Sequence, residues 1–219
     1  MKGFSWDWTF AWSVLPALLE GLAVTIQATI AGSAIALTFG LLWCVLRLAR
    51  IPVLSPIVWF MVEFLRGTPF LVQLYFIFYV LPKYGLILSP LLTGMLALGV
   101  YGSARAAEFY RAALEAIPSG QWEASLTLGL PIRKVWSRII LPQMWPIAAP
   151  MLGNLVIAMF KDTAVLSTIT VLELVARAKD VGFQSFRYLE PLTMAGILFW
   201  IVSYTAARGL RHLENRHAS

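Results

Sequence analysis

One uncharged stretch decides the class of this fold: Gly21-Leu-Ala-Val-Thr-Ile-Gln-Ala-Thr-Ile-Ala-Gly-Ser-Ala-Ile-Ala-Leu-Thr-Phe-Gly-Leu-Leu-Trp-Cys-Val-Leu46. No charged residue lies between Glu20 and Arg47. A helix that crosses the hydrocarbon core of a bilayer needs about 20 mainly apolar residues. The stretch is long enough to cross a membrane, and it predicts an integral membrane protein.

The composition of the whole chain points the same way. Of its 219 residues, 59% are hydrophobic and 13% are charged, whereas soluble domains carry about 25% charged residues. The net charge of +6 fits the excess of Lys and Arg on the cytoplasmic side of membrane proteins better than a nucleic-acid partner. Cys44 is the single cysteine, so the chain has no internal disulfide.

The apolar stretches predict an all-α, polytopic membrane protein with five transmembrane helices in one domain, residues 15–212. Residues 1–14 form a segment outside the membrane and residues 213–219 a cytoplasmic tail. With the N-terminus outside, the inner flanks hold nine Lys and Arg residues against five on the outer flanks, which favours this orientation. Gly67-Thr68-Pro69 is expected to break or bend the second span. The spans are predicted at about residues 15–46, 56–81, 91–113, 145–168 and 192–210.

The cytoplasmic segment 115–143 has the pattern of two short helices joined by a turn. Ser119 is expected to cap a helix over about residues 120–128. Gly129 suits a left-handed residue that ends this helix, and Pro131 suits the first turn of the next one. Pro142 is expected to break the chain before the fourth span.

Trp122 and Leu126 are four residues apart, so they are expected to share one apolar helix face. An exposed apolar face on a cytoplasmic loop needs a partner. The alternative is that this face packs on the spans of the chain itself.

Spaced residues in this segment resemble the EAA loop of ABC importer permeases. The matching positions are Glu123-Ala124-Ser125, Gly129, Ile139 and Leu141-Pro142, with Ser125 where the pattern has Ala. The resemblance implies the type I (MetI-like) importer permease fold and a coupling helix that seats in a groove of a separate ATPase. It assigns ATPase coupling to Gly120, Trp122, Glu123, Ala124, Ser125, Leu126, Gly129 and Pro131.

Two further segments resemble the histidine/glutamine/arginine-type branch of this family. They are Arg66-Gly67-Thr68-Pro69, followed by Leu71-Val-Gln-Leu74, and Lys161-Asp162-Thr163. The resemblance implies a bacterial plasma-membrane permease for polar amino acids or a zwitterionic solute such as ectoine. It also implies a cytoplasmic ATPase dimer, a second identical or homologous permease subunit and an extracytoplasmic solute-binding protein, with membrane lipid around them.

The predicted substrate pathway lies on the fourth span, at Asn154, Lys161, Asp162 and Thr163. Charged residues near lipid face the bundle interior, a partner or water. Asp162 is the candidate for the ammonium group of the cargo; the alternative is an ion pair that only stabilises helix packing. Relatives that carry cationic amino acids can have an acid near position 155, where this chain has Leu155, which weakens the case for arginine or lysine as cargo.

Other charged residues are predicted to have structural roles. Glu63 and Arg66 are three apart and can pair on one helix face. Arg105, Glu108 and Arg111 have the same spacing and are expected to form an ion-pair ladder without substrate contact.

Several chemistries have no matching pattern. The sequence has no Gly-x4-Gly-Lys-Ser/Thr phosphate loop and no Cys/His cluster for a metal, so no cofactor is expected. A secondary transporter or channel, the main alternative, would need an ion-coupling site and usually inverted repeats, neither of which is evident. An intramembrane enzyme would need catalytic residues that the spans lack.

Overall fold

The computed structural model describes residues 6–217, and this part of the chain is helical without a β-strand. The predicted all-α fold is confirmed. Short π-helical turns at Phe76–Val80 and Trp136–Ile140, and 3-10 helices at Leu81–Tyr84 and Thr163–Ile169, extend the α-helices. The α-helices are α1 (Trp8–Ser13), α2 (Leu15–Leu48), α3 (Leu54–Gly67), α4 (Phe70–Tyr75), α5 (Pro90–Glu115), α6 (Ser119–Thr127), α7 (Ile132–Val135), α8 (Leu141–Asp162), α9 (Leu174–Ser185) and α10 (Leu189–His217).

Three helical segments within residues 6–217 are long and apolar enough to cross a bilayer: Leu15–Leu48, Ile132–Ile169 and Leu189–His212. The pair Leu54–Gly67 and Phe70–Tyr84, bent by 107°, makes a fourth if it counts as one broken span. Helix α5 has 26 residues but contains several Gly and charged residues, and it is not among these segments. A bilayer-spanning role for α5, and with it the count of five spans, stays a prediction.

Helices α2 and α5 pack most extensively, because small residues let their backbones approach closely. A Cβ added to Gly40 would lie 2.5 Å from the Cβ of Ala106 and 2.9 Å from the carbonyl oxygen of Ser103. Trp43 on α2 donates its Nε1–H to the Ser103 hydroxyl at 3.2 Å. Helix α8 packs on the α2–α5 pair and completes the main core.

The expected bend at Gly67-Thr68-Pro69 is present, and side chains satisfy the backbone that it frees. Thr68 is extended (φ −102°, ψ 138°), as the residue before a proline prefers. Its hydroxyl donates to the carbonyl oxygen of Phe64 at 3.0 Å. The Gln73 amide donates to the carbonyl oxygen of Leu65 at 2.7 Å. The break is thus built into the fold rather than left as unpaired backbone in lipid.

The fourth span differs from expectation at Pro142, where the chain does not break. A single helical segment runs from Ile132 through the π-helical turn into α8. Pro142 lies two residues after this π-helical turn, so its missing N–H falls where the regular α-helical hydrogen bonding is already interrupted. The π-helical turn at Trp136–Ile140 absorbs the irregularity that a proline imposes on the preceding hydrogen bonds.

Helix α9 packs on α2 through a buried acidic cap. The side chain of Glu173 is fully buried and accepts hydrogen bonds from the backbone N–H groups of Val175 (2.9 Å) and Ala176 (2.8 Å). Burial, the largest effect, raises the pKa of Glu173 to about 7, although the two N–H donors and Lys179 oppose it. The Leu174 N–H donates to the Thr25 hydroxyl at 3.2 Å, which ties the cap to α2.

Candidate functional site

A cavity of about 320 Å³ opens between α5 and α8. From α8 its wall takes residues spaced i, i+3, i+4 and i+7, which is one face of a helix. From α5 it takes a guanidinium and an aromatic ring. Its lining consists of Arg105, Phe109, Met151, Asn154, Leu155 and Ala158. The cavity therefore has apolar walls and two polar groups, the pattern of a small-molecule site.

Arg105 supplies the positive charge of this cavity. Its guanidinium hydrogen-bonds the Tyr101 hydroxyl and lies 4.4 Å from the centroid of the Tyr101 ring. Among residues 6–212, no carboxylate lies within 4 Å of it. A guanidinium has five N–H donors in a fixed planar fork, so most of its donors remain available to an anionic group in the cavity.

The sequence interpretation of Arg105 as part of an ion-pair ladder was wrong. The three-residue spacing grouped it with Glu108 and Arg111, but its side chain turns towards Tyr101, four residues earlier. The Tyr101–Arg105 spacing is the signal in the sequence that identifies this cation–π pair.

Glu108 is instead the centre of the ion-pair network near the end of α5. It pairs with Arg111 at 2.8 Å, with Arg47 of α2, and with Arg66 of α3 at 3.8 Å. The predicted pair Glu63–Arg66 is also present, at 2.9 Å. The network joins α2, α3 and α5 at the end of the bundle that leads into α6.

The predicted substrate-pathway residues have different positions. Asn154 lines the cavity. Lys161 is seven residues further along α8, so it lies about 20° from Asn154 around the helix and roughly 10 Å further along its axis. Asp162 is half-buried, and neither Lys161 nor Asp162 has an ion-pair partner within 4 Å among the described residues. Thr163 is fully buried and donates to the carbonyl oxygen of Phe160 at 2.6 Å, which leaves it an internal role.

Helix α6 and the following turn present an apolar surface at the end of the bundle where Glu108 lies. Leu126 and Leu128 are each 73% exposed. Trp122, expected on the same face as Leu126, turns inward and packs edge-on against Trp136 at 5.3 Å. Ser125 is buried, and its hydroxyl donates to the carbonyl oxygen of Gln121 at 2.6 Å. Trp122 and Ser125 thus anchor the helix, while the two leucines face outward.

Gly129 ends this helix in the left-handed conformation, with φ +63°. The Leu130 N–H donates to the carbonyl oxygen of Ser125 at 3.2 Å, which is the closing bond of a Schellman turn. Pro131 directly precedes α7. Ser119 is itself the first residue of α6 rather than its cap, and its side chain makes no capping bond. Gly120, Glu123 and Ala124 lie on the exposed side of α6.

An all-helical bundle with membrane-length apolar segments, an open cavity with an arginine and an asparagine in its apolar wall, and an apolar surface at one end is typical of a membrane transport subunit. The chain belongs to the family of binding-protein-dependent transport system inner membrane components, whose family model matches residues 36–218. Members of this family are transport subunits rather than enzymes. Its membership implies that ATP hydrolysis occurs on a separate chain and that a solute-binding protein is a partner.

The relatives agree with this assignment. The chain is 41% identical to the probable amino-acid ABC transporter permease protein y4tG of Sinorhizobium fredii, over 98% of this chain and 95% of the relative. It is 33% identical to the L-cystine transport system permease protein TcyB of Bacillus subtilis, over 93% and 88%. A crystal structure of an amino acid ABC transporter with histidines superposes with a TM-score of 0.93 at 29% identity, covering 97% of this chain and all of that one (100%).

An inward-facing MetNI methionine ABC transporter structure, at 22% identity and a TM-score of 0.68, covers 94% of this chain and 99% of the other and shares the fold. The predicted MetI-like importer permease fold is thereby confirmed.

Proposed function

We propose that this chain translocates amino acids, or related solutes with a free carboxylate, through the cavity between α5 and α8. The observation that carries the proposal is Arg105, a guanidinium in this cavity with no carboxylate within 4 Å of it among residues 6–212. Charge-assisted bonds from Arg to a carboxylate are among the strongest in proteins. Arg105 binds the carboxylate of the cargo, and Asn154 hydrogen-bonds a second polar group.

The lining of the cavity selects against cationic side chains. The lining contains no acidic residue that could pair with the positively charged side chain of a cationic amino acid. Leu155, which is buried in the wall, occupies the position where such an acid would be needed. Phe109 and Met151 offer apolar surface to the rest of the cargo. Lys161 and Asp162 lie towards the other end of α8, where they act on cargo as it enters. The proposed cargo is neutral or acidic.

The coupling surface is the loop 115–143. Leu126 and Leu128 seat in a groove of the ATPase, as their exposure on an otherwise anchored helix supports. Gly129 and Pro131 fix the shape of the turn, and Trp122 and Ser125 transmit its movement to the bundle. Gly120, Glu123 and Ala124 line the exposed side of the same helix and complete the docking surface.

The proposed assembly has the loop 115–143 in the cytoplasm and the N-terminus outside, with α5 as one of five spans. A second permease subunit, identical or homologous, completes the solute path, because a few helices enclose a hydrophilic path poorly. Helix α9, between the last two spans, receives the solute-binding protein on the outer face. Solute then crosses by alternating access as the ATPase closes and opens.

Uptake by Arg105→Gln in proteoliposomes with the cognate ATPase and binding protein tests the cargo site. Hydrogen bonds to charged groups contribute about 1.5–3 kcal/mol, so uptake of neutral amino acids at limiting cargo should fall at least tenfold. The matched control is Arg208→Gln on α10, where the guanidinium lies 5.4 Å from the Tyr204 ring in the same i, i+4 relation. Equal uptake by both variants would show that Arg105 does not bind the cargo.

A further inference from the structure

A second basic pocket lies at the turn between α2 and α3. It is open, has a volume of about 380 Å³, and its wall includes Arg47, Arg50, Pro52, Ser55 and Trp59. The turn follows the C-terminal end of α2. Because Arg47 at this end pairs with Glu108 near the C-terminal end of α5, the turn lies at the same end of the bundle as the start of α6. The cavity between α5 and α8 shares no residue with it.

The two arginines of this pocket differ in charge compensation. Arg47 is largely buried and paired with Glu108. Arg50 is exposed, and its side chain forms no ion pair within 4 Å in the part of the chain that the structure describes. No acidic residue lines the pocket. The pocket therefore presents one uncompensated positive charge beside a partly compensated one, which favours an anionic occupant.

The backbone of the turn holds Arg50 in a conformation that few side chains adopt. Arg50 has φ +49° and Val53 has φ +71°, and a positive φ is a genuine outlier for a β-branched residue. The turn is secured by the Ser55 hydroxyl, which donates to the carbonyl oxygen of Leu46 at 2.8 Å. Such strained positions persist where the surrounding structure determines them, and they concentrate at ligand sites and switch regions.

An apolar face of α3 leads away from the pocket. Pro56 lines the pocket, and Phe60 and Phe64 follow it at i+4 and i+8, with exposures of 64% and 58%. The two rings stack with centroids 6.4 Å apart. Trp59, half exposed at the pocket wall, belongs to the residue type that prefers the headgroup level of a bilayer. A basic headgroup pocket continuous with an exposed aromatic face matches an amphiphile better than a free ion.

We propose that the α2–α3 turn binds the phosphodiester headgroup of an anionic glycerophospholipid. Arg50 bonds the phosphate, Arg47 contributes its remaining donors, and the acyl chains lie along Phe60 and Phe64. Basic pockets of this kind between transmembrane helices bind anionic headgroups on the cytoplasmic side. The proposal does not depend on which solute the protein carries.

The experiment is native mass spectrometry of the purified full-length complex in detergent, titrated separately with phosphatidylglycerol and phosphatidylcholine. Wild type is expected to bind phosphatidylglycerol at least fivefold more tightly than phosphatidylcholine. Arg50→Gln should lose about fivefold in affinity, the effect of removing one arginine near anionic lipid. Glutamine at this position carries the same left-handed strain as arginine, so the turn is not relaxed. The control Arg211→Gln removes another exposed arginine, on α10 and outside the pocket, and should change affinity less than twofold.

Further outcomes distinguish a bound phospholipid from general charge attraction, from a free phosphate ion and from a contact between chains. Arg50→Lys, which keeps the charge, should retain more of the preference than Arg50→Gln. Equal losses in Arg50→Gln and Arg211→Gln would show general charge attraction and overturn the pocket. Displacement of the lipid by millimolar inorganic phosphate would identify a free-anion site and overturn the lipid. A changed subunit stoichiometry of the lipid-free Arg50→Gln complex would identify a contact between chains, which also overturns it.

Discussion

Replacing Gly129 with alanine tests whether the shape of the α6–α7 turn couples the bundle to its ATPase. Gly129 has φ +63°, and a Cβ at this position would meet no atom within 4 Å. The cost of the substitution is therefore backbone strain alone, about 1–2 kcal/mol for an L-residue in the left-handed region. Folded domains are stable by about 5–15 kcal/mol, so the bundle should still fold while the native turn is less populated.

The expected loss of coupling follows from that strain. A cost of about 1–2 kcal/mol lowers the population of a required conformation by a factor of about 5–30. Hydrolysis of ATP stimulated by the loaded binding protein should fall by up to this factor in proteoliposomes. Gly129→Asn should recover part of it, because Asn tolerates the left-handed region better than other residues with side chains.

Gly196→Ala is the matched control for this prediction. It is the same substitution at an exposed position of α10, outside the loop 115–143, with no positive φ and no atom within 4 Å of the added Cβ. It should leave stimulated hydrolysis near the wild-type rate. If Gly129→Ala and Gly196→Ala hydrolyse ATP equally well, the turn geometry does not carry the coupling.

Three other substitutions have expected outcomes. Leu126→Glu places a charge on the 73%-exposed position of α6 and should reduce co-purification of the ATPase about tenfold, whereas Thr127→Ser should not; retention of the ATPase by both would contradict the docking surface. Glu108→Gln weakens a largely buried network with three arginines and should lower the free energy of unfolding by about 1–3 kcal/mol. The control Glu115→Gln changes an exposed carboxylate and should lower it by about 0.5 kcal/mol or less. Equal shifts of the thermal unfolding temperature in the two variants would contradict this prediction. Burial raises the pKa of Glu173 from 4.5 to about 7, so the native state binds more protons than the unfolded state between these values and stability should fall as pH rises through them. Thermal unfolding from about pH 5 to about pH 8 should show this slope in wild type and a flatter one in Glu173→Gln; parallel slopes would contradict it.

Local patterns in the sequence predicted the features that depend on neighbouring residues. The apolar run 21–46 became most of α2, Gly129 adopted its left-handed turn, and Thr68-Pro69 bent the second span. Each of these features follows from chain geometry or from the transfer of apolar groups into lipid. None of them requires knowledge of contacts between residues far apart in the sequence.

Features that depend on tertiary contacts were not predictable in the same way. Trp122 turns inward because Trp136, across the turn, supplies an aromatic partner. Tyr101, four residues before Arg105 on the same helix, was a local signal for their cation–π pair, but the cavity between α5 and α8 that Arg105 lines follows only from tertiary packing. Pro142 continues a helix because a π-helical turn precedes it. The spacings used in the sequence analysis did not indicate these outcomes.

Helix α9 shows the same division. Nothing in the sequence pattern showed that Glu173 would be fully buried as the cap of this helix. The burial arises because Thr25 on α2, far away in sequence, binds the next backbone N–H.

The most direct test of the proposed function is uptake of radiolabelled amino acids into proteoliposomes that contain this chain, its ATPase and its binding protein. Neutral or acidic amino acids should accumulate only with all three components and ATP, and arginine and lysine should accumulate far less. Arg105→Gln should abolish most of the accumulation, and Arg208→Gln should not. Uptake by this chain alone without ATP, or a preference for cationic amino acids, would contradict the assignment of an ATP-driven, carboxylate-binding permease.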